Sequence, residues 1–298
     1  MLADAPAPAR AGTARGPVAR ATTGVGVVPP GWRRWGRYAL LVVVAALVLF
    51  PIYVMVVGAL KPGNRVLQDP LLPTSVTGDT LRQAWRDGKL GRALLNSTIV
   101  ASVVTVAQLV TSVLSAYAFA FLRFPGKALA FGVFLATLLV PFEATVVVNR
   151  ETMQDLGWLN SYQGLALPFL ATAFGTFLLR QVFLALPGEL LEAARMDGLG
   201  HLGFMREVAV PLARPTLGAL ALFAFLSTWN QYLWPTLVST DDDWNTVQSG
   251  LRALASAQLD RPNLVIAGTV IVAMPIFVVL LLFQRQLVRG LTAGAVKG

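Results

Sequence analysis

The sequence predicts an all-α integral membrane protein with six transmembrane helices, and three observations carry that prediction. The 298-residue chain is 55% hydrophobic and 13% charged, with a mean hydropathy of +0.64, whereas a soluble domain runs about 45–50% apolar and about 25% charged. A chain this apolar lacks the polar surface with which a soluble enzyme covers its core. Its apolar residues fall into six runs, each close to the roughly 20 residues that cross a bilayer. Cysteine is absent and His201 is the single histidine. That removes a disulfide framework, a thiol nucleophile, a Cys-ligated zinc site and any His-cluster metal site.

Taken in order, residues 1–36 are rich in Ala, Pro, Gly and Arg without a period, the pattern of a disordered basic tail. A transmembrane domain is expected over 37–298, with its core at about 91–284. The first run, Tyr38–Leu60, stops at Lys61-Pro62. At 1.5 Å per residue it reaches ~34 Å, long enough to span, and it exceeds the ~7–15 apolar residues of a cleaved signal peptide. The second, Leu95–Leu122, ends at Arg123 and Pro125-Gly126-Lys127. The third, Ala128–Val148, ends at Asn149-Arg150-Glu151. The fourth, Tyr162–Leu184, stops before Pro187-Gly188. The fifth, Leu212–Val238, ends at Ser239 and Asp241-Asp242-Asp243. The sixth, Leu264–Phe283, ends at Arg285.

Six crossings put both termini on one side, and the positive-inside rule chooses the cytoplasm. Cytoplasmic segments then carry 15 of the 24 basic residues with five acids, against nine basic and ten acidic residues outside. The net charge of +9 is thereby membrane topology and not a nucleic-acid footprint. One blemish is the outer loop 61–94, with six basic residues. The other long outer loop is 239–263.

The cytoplasmic loop 187–211 has a helical pattern of its own. Glu189 and Glu192 follow the Pro187-Gly188 break, where negative charge favours a helix start. Leu190, Leu191 and Ala194 form one apolar stripe, and Gly198 stands where a helix ends by adopting a positive φ. A second short helix is expected from about Gly200 to Val208, before Pro211 opens the fifth span. Such a hairpin offers an apolar ridge to a groove on another protein. The other reading is an amphipathic segment lying in the lipid interface; Glu189, Glu192, Asp197 and Glu207 argue against adhesion to an anionic leaflet.

Here the sequence resembles a family. Glu192-Ala193-Ala194, three residues, Gly198, nine residues, then Val208-Ala209-Val210-Pro211 resemble the EAA loop of permease subunits in binding-protein-dependent ABC importers; the family's usual Ile-x-Leu-Pro ending is here Val-x-Val-Pro. Ala116-Tyr117-Ala118-Phe119-Ala120 with Arg123-Phe124-Pro125-Gly126-Lys127 is similar to the carbohydrate-uptake branch, second-permease type. So are Gln284-Arg285 and the stretch 288–298. Trp229-Asn230-Gln231-Tyr232-Leu233-Trp234-Pro235 and Thr246-Val247-Gln248-Ser249-Gly250-Leu251 look most like the glycerol-3-phosphate permeases of that branch, although oligosaccharide permeases more often have Asp where Gln231 stands.

The resemblance covers nearly all of 37–298 and implies a type I ABC importer permease fold in a bacterial inner membrane. The chain would form half of a pathway with a homologous permease, served by two copies of a cytoplasmic ATPase and an extracytoplasmic solute-binding protein. Leu190, Leu191, Glu192, Ala193, Ala194, Asp197, Gly198 and Pro211 would couple it to the ATPase. The solute would be glycerol-3-phosphate-like or a glycerophosphodiester; a neutral sugar or oligosaccharide is the alternative. This chain would bind no cofactor, with ATP and Mg on the ATPase. It has no G-x-x-x-x-G-K-[ST], since Gly126-Lys127 precedes Ala128. From another class, a non-transporting membrane scaffold that docks a partner through the same loop stays open.

Polar residues within spans are candidates for the pathway, because charge at mid-bilayer costs about 2.5–3.5 kcal/mol. Glu143, just after Pro141, is either a pathway carboxylate or a helix-end group beside Asn149 and Arg150. Pro141 and Pro168 either kink their spans or are merely tolerated. Trp229, Asn230, Gln231 and Tyr232 either line the pathway or form an aromatic belt with interhelical amide bonds. No span carries a central Arg or Lys, so an anionic solute is handled by the partner subunits or the solute is neutral.

Overall fold

The computed structural model describes residues 31–62 and 75–293, with side chains over 35–62 and 75–284. All regular elements among them are helical, and the chain divides into two units, residues 1–50 and 51–298. The described part of the first unit is the opening of α1 (Gly31–Leu60), where Trp35, Tyr38, Leu41, Leu47 and Val48 are exposed. Apolar surface of this extent calls for lipid or another apolar helix. Residues 31–36 are already helical, which corrects the tail expected over 1–36; the remainder of that tail, 1–30, lies outside the described residues.

In the second unit, α2 (Asp79–Asp87) turns through Lys89, at φ 45°, into α3 (Leu90–Phe121). α3 is the central post, starting five residues before its hydropathy run because its first turns bury Leu90 and Ala93 against the sixth span. Its C-terminal carbonyls meet cations, as the helix dipole favours. Lys127 Nζ donates to the Ala120 and Leu122 carbonyls at 3.2 and 2.9 Å, and Arg180 Nε to that of Phe119 at 3.2 Å.

α4 (Lys127–Ala136) continues as a 3₁₀ turn, Thr137–Leu139, and α5 (Phe142–Asp155) leaves at 93°. The continuous third span Ala128–Val148 is therefore corrected to two helices at a right angle. Pro141 has no N–H to continue the ladder and forces Val140 extended. α6 (Tyr162–Ala166), the 3₁₀ turn Leu167–Phe169 and α7 (Ala173–Leu184) form a pair bent by 45° between Phe169 and Ala173, with Pro168 in the 3₁₀ turn before the break.

α8 (Gly188–Met196) and α9 (His201–Phe204) follow. A π-helical turn, Met205–Ala209, then leads into α10 (Val210–Leu212). α11 (Arg214–Trp229) departs at 78°. The fifth span thus opens at Arg214-Pro215 and not at Pro211, which sits within the helical arm. It closes at Trp229, not at Val238. α12 (Leu233–Val238), α13 (Val247–Ala257) and α14 (Pro262–Ala293) complete the chain. Three helices are long and apolar enough to cross, Trp35–Leu60, Leu90–Phe121 and Pro262–Gln284, and the three bent pairs bring the number to as many as six.

α7 and α11 pack on α3, and the core lies at the two ends of this post. Tyr117, Leu179, Phe183, Phe204 and Leu220 fill one end; Leu90, Ala101, Trp229, Val247 and Val272 fill the other. Beside the second, Val146, Met153, Trp234 and Val238 join α5 to α12.

Gly164 is a tight point there. A Cβ on it would overlap the Trp158 carbonyl oxygen and press on Val238 Cγ1 at 3.1 Å, while its own carbonyl accepts Trp234 Nε1–H at 3.0 Å. Gly164→Ala should destabilise by roughly 1–3 kcal/mol, read as a lower Tm in detergent. Gly132→Ala, where a Cβ meets nothing within 4 Å, should leave Tm unchanged or raise it. Equal Tm values for the two variants would show that the Gly164 contact is not a constraint.

Candidate functional site

The hairpin 187–212 is built by two local devices. Pro187 sets the start of α8, and Glu189 occupies its first turn. At the far end Gly198 takes φ +79°, confirming the positive φ expected from the sequence. Gly198 N–H donates to the Arg195 carbonyl at 3.0 Å and Leu199 N–H to that of Ala194 at 2.9 Å, the paired bonds of a Schellman turn. Leu199 then tucks against the core together with Ala194.

The return arm is anchored by aromatic packing. Phe204 is 1% exposed and meets Phe121 edge-on at 5.3 Å between ring centroids and Tyr117 at 6.4 Å. Tyr117 also stands edge-on to Phe183, and its hydroxyl lies 3.0 Å from His201 Nδ1. Tyr117 and Phe121, four residues apart on one face of α3, thus hold the hairpin to the end of the post. The sequence motif around Ala116 gave no sign of this mechanical part.

These anchors hold part of the apolar stripe against the chain's own core. Ala194 is buried, and Leu190 and Leu191 pack half-buried on the same core. They pack the hairpin onto that core with part of their surface, and Leu191 also lines an open groove beside α8. What faces outward is Glu192, Ala193, Asp197 and Gly198, with Met196 at 83% and Leu202 at 72% exposure. The last two were missed by pattern reading, although two apolar residues flanking a polar Gly turn were a visible signal. Pro211 is half-buried in the arm. Beside α8 runs a groove of about 660 Å³ between Leu122, Arg123 and Phe124 on one wall and Leu191, Glu192 and Arg195 on the other.

At the opposite end, the residues expected to line a pathway separate into three groups. Trp229 is 1% exposed and stacks on Phe225 at 5.5 Å; it belongs to the core and is corrected out of the pathway. Asn230 caps α11, and Gln231 and Tyr232 form the link to α12 instead of continuing the span. Glu143 is exposed in the first turn of α5, where the dipole favours a carboxylate. Asn149, one and a half turns on, donates to Thr145 Oγ1 of the same helix at 3.3 Å. Asn149 and Asn230 have different partners, Thr145 for the first and Leu226 and Gln248 for the second, while α5 meets α12 where Arg150 Nε donates to the Leu237 carbonyl.

The loop 239–246 is held by polar nodes. Buried Asn96 donates to the Asp243 and Asn245 carbonyls at 2.9 and 3.0 Å and accepts from Tyr162 Oη at 2.9 Å. Asn160, at φ 51°, donates to Thr240 Oγ1 and accepts from the Thr240 and Asp241 N–H groups. Lys89 pairs with Asp243 at 3.2 Å and Asp242 at 3.8 Å. The hydrogen bond to Asp243, and then that carboxylate's charge, hold the Lys89 ammonium pKa above its ordinary value.

Residues 97–293 match the family described as binding-protein-dependent transport system inner membrane component. The chain is 39% identical over 264 residues to the sn-glycerol-3-phosphate transport system permease protein UgpE of Yersinia pestis, covering 85% of this chain and 94% of that protein. It is 35% identical over 267 residues to the protein of the same name from Brucella abortus, with the same coverage. A crystal structure of a bacterial ABC transporter involved in the import of the acidic polysaccharide alginate contains a chain that superposes with a TM-score of 0.72 at 25% identity, covering 85% of this chain and 96% of that one.

Proposed function

Because the chain belongs to the family of binding-protein-dependent transport system inner membrane components, a permease subunit of an ABC importer without catalysis of its own, we propose how it works and what it carries. It forms half of the pathway for sn-glycerol-3-phosphate or a chemically similar phosphorylated polyol. Its partners are one homologous permease, two ATPase copies that hold ATP and Mg, and an extracytoplasmic solute-binding protein. Both termini lie in the cytoplasm.

The observation that carries the coupling proposal is the hairpin: a helix, a Schellman turn at Gly198 and a return arm, cemented inward and offering Met196 and Leu202 outward. Closure of the ATPase dimer pushes on that outward face. The hairpin cannot yield locally, because Phe204, Tyr117 and Phe121 tie it to α3. The motion passes through α10 into α11 as rigid-body switching, with the bend at Ala213 as the joint. The substrate proposal is supported by relatives that carry the glycerol-3-phosphate name over 85% of this chain.

The natural absence of Cys makes a clean experiment. A Cys at Met196 should cross-link to the ATPase subunit and be shielded from an impermeant thiol reagent in intact cells, while a Cys at Ala257 should be labelled from outside. Labelling at 196 from outside would overturn the orientation. Failure of a Cys at 196 to cross-link in the assembled complex would overturn the docking face.

A further inference from the structure

A phosphorylated solute needs a cation in its path, and no span provides one centrally. The structure provides one from α13, which the hydropathy pattern assigns to an outer loop. α13 buries Val247 and Leu254, and its start is fixed. Thr246 and Ser249 form a capping box, and Val247 N–H donates to Ser97 Oγ at 2.9 Å. Gln248 and Arg252, one turn apart, therefore project from a rigid element toward the end of α11. There Gln248 Nε2 donates to Asn230 Oδ1 at 3.2 Å, and the Arg252 guanidinium carbon lies 5.1 Å from the centre of the Tyr232 ring.

The geometry sets Arg252 beside the Asn230–Tyr232 turn. Lys89 is paired with Asp242 and Asp243. Of the other cations at this end, Arg92 is engaged on the Asp243 carbonyl and Arg150 on the Leu237 carbonyl and Gln154. Arg252 is exposed and meets an aromatic face instead of a carboxylate. A guanidinium resting on a ring still points its N–H edge outward, in the planar fork that suits two phosphate oxygens.

We propose that Arg252, backed by Tyr232 and flanked by Gln248 and Asn230, is an anion-binding station at the outer end of α11 that receives the phosphate of the transported solute. Tyr232 orients the guanidinium; the Gln248 amide and the Tyr232 hydroxyl supply further donors to the phosphomonoester. The station rests on the reading of the solute as phosphorylated.

The test is ATP-driven uptake of sn-glycerol-3-phosphate by proteoliposomes holding the full importer, with R252Q, R252K and, as a control on another exposed cation, R82Q. R252Q should lower uptake about tenfold or more, R252K should recover most of it, and R82Q should match the parent. In R252Q the loaded binding protein should still stimulate ATP hydrolysis at the parental half-saturating concentration, which a merely structural role would not preserve. Parental uptake by R252Q, with the parent importing glycerol phosphate, overturns the station and leaves the substrate reading standing. Failed assembly of R252Q, or an equal loss in R82Q, also overturns the station. A parent that imports a neutral sugar and not the phosphate overturns the substrate reading and the station with it.

Discussion

Gly198→Val is expected to insert normally and to lose its ATPase. Gly198 sits at φ +79°, and a Cβ there would meet nothing within 4 Å. The cost is therefore backbone strain alone: about 1–2 kcal/mol for an ordinary L-residue in the left-handed region, and more for a β-branched one. The chain relieves that strain by opening the turn, which breaks the Gly198–Arg195 and Leu199–Ala194 bonds and releases Leu199 from the core. The spans do not depend on this turn, because lipid holds their backbone hydrogen bonds closed. ATPase co-purification should fall about tenfold or more, the equivalent of ~1.4 kcal/mol, with membrane yield unchanged. Gly198→Asn, which tolerates a positive φ, should keep most of the ATPase. Full retention by the Val variant would mean that the turn does not position the docking face.

Met196→Glu combined with Leu202→Glu should have a larger effect on assembly and almost none on stability. Both side chains are exposed in the isolated chain, so their replacement removes no internal packing. In the complex each would bury an apolar side chain, a contribution of about 1.5–3 kcal/mol apiece, and a carboxylate in the same place would be desolvated without a partner. ATPase association should drop by more than about 100-fold, with an unchanged Tm. The matched change inside the hairpin, Leu190→Glu, should instead lower Tm, since Leu190 packs on the core. If the outward pair is neutral and the inward change alone uncouples, the docking face has been assigned to the wrong side of α8.

These two sides of α8 show where the sequence stopped being legible. The 3.6-residue pattern of Leu190, Leu191 and Ala194 identifies a helix with one apolar face, but periodicity does not say whether that face meets the protein's own core or another protein. Tyr117, far away in sequence on α3, and Phe204 in the return arm decide it. The six hydrophobic runs were legible because a bilayer forces every spanning segment into a helix. Pro141 and Pro168 marked missing backbone donors, but the sequence left open whether they bend their spans; the structure bends the third at Pro141 and the fourth just after the Pro168 turn. The end of the fifth span was not: Leu233, Trp234, Leu237 and Val238 continue the hydropathy past Trp229, and only the turn at Asn230–Tyr232 separates them. α13 escaped notice because its apolar residues, Val247, Leu251 and Leu254, are too few for a hydropathy window, although their i, i+4, i+7 spacing marks a helical face. The π turn at Met205–Ala209 has no sequence signal that we recognise.

In the proposed function this chain passes a phosphorylated polyol when a separate ATPase moves its hairpin. The most direct measurement is accumulation of labelled sn-glycerol-3-phosphate in proteoliposomes that contain this permease, its homologous partner, the ATPase and the binding protein. The parental importer should accumulate the label when ATP is supplied on the ATPase side, and the Met196→Glu, Leu202→Glu importer should not. Accumulation without ATP, or equal accumulation by the two importers, would contradict it.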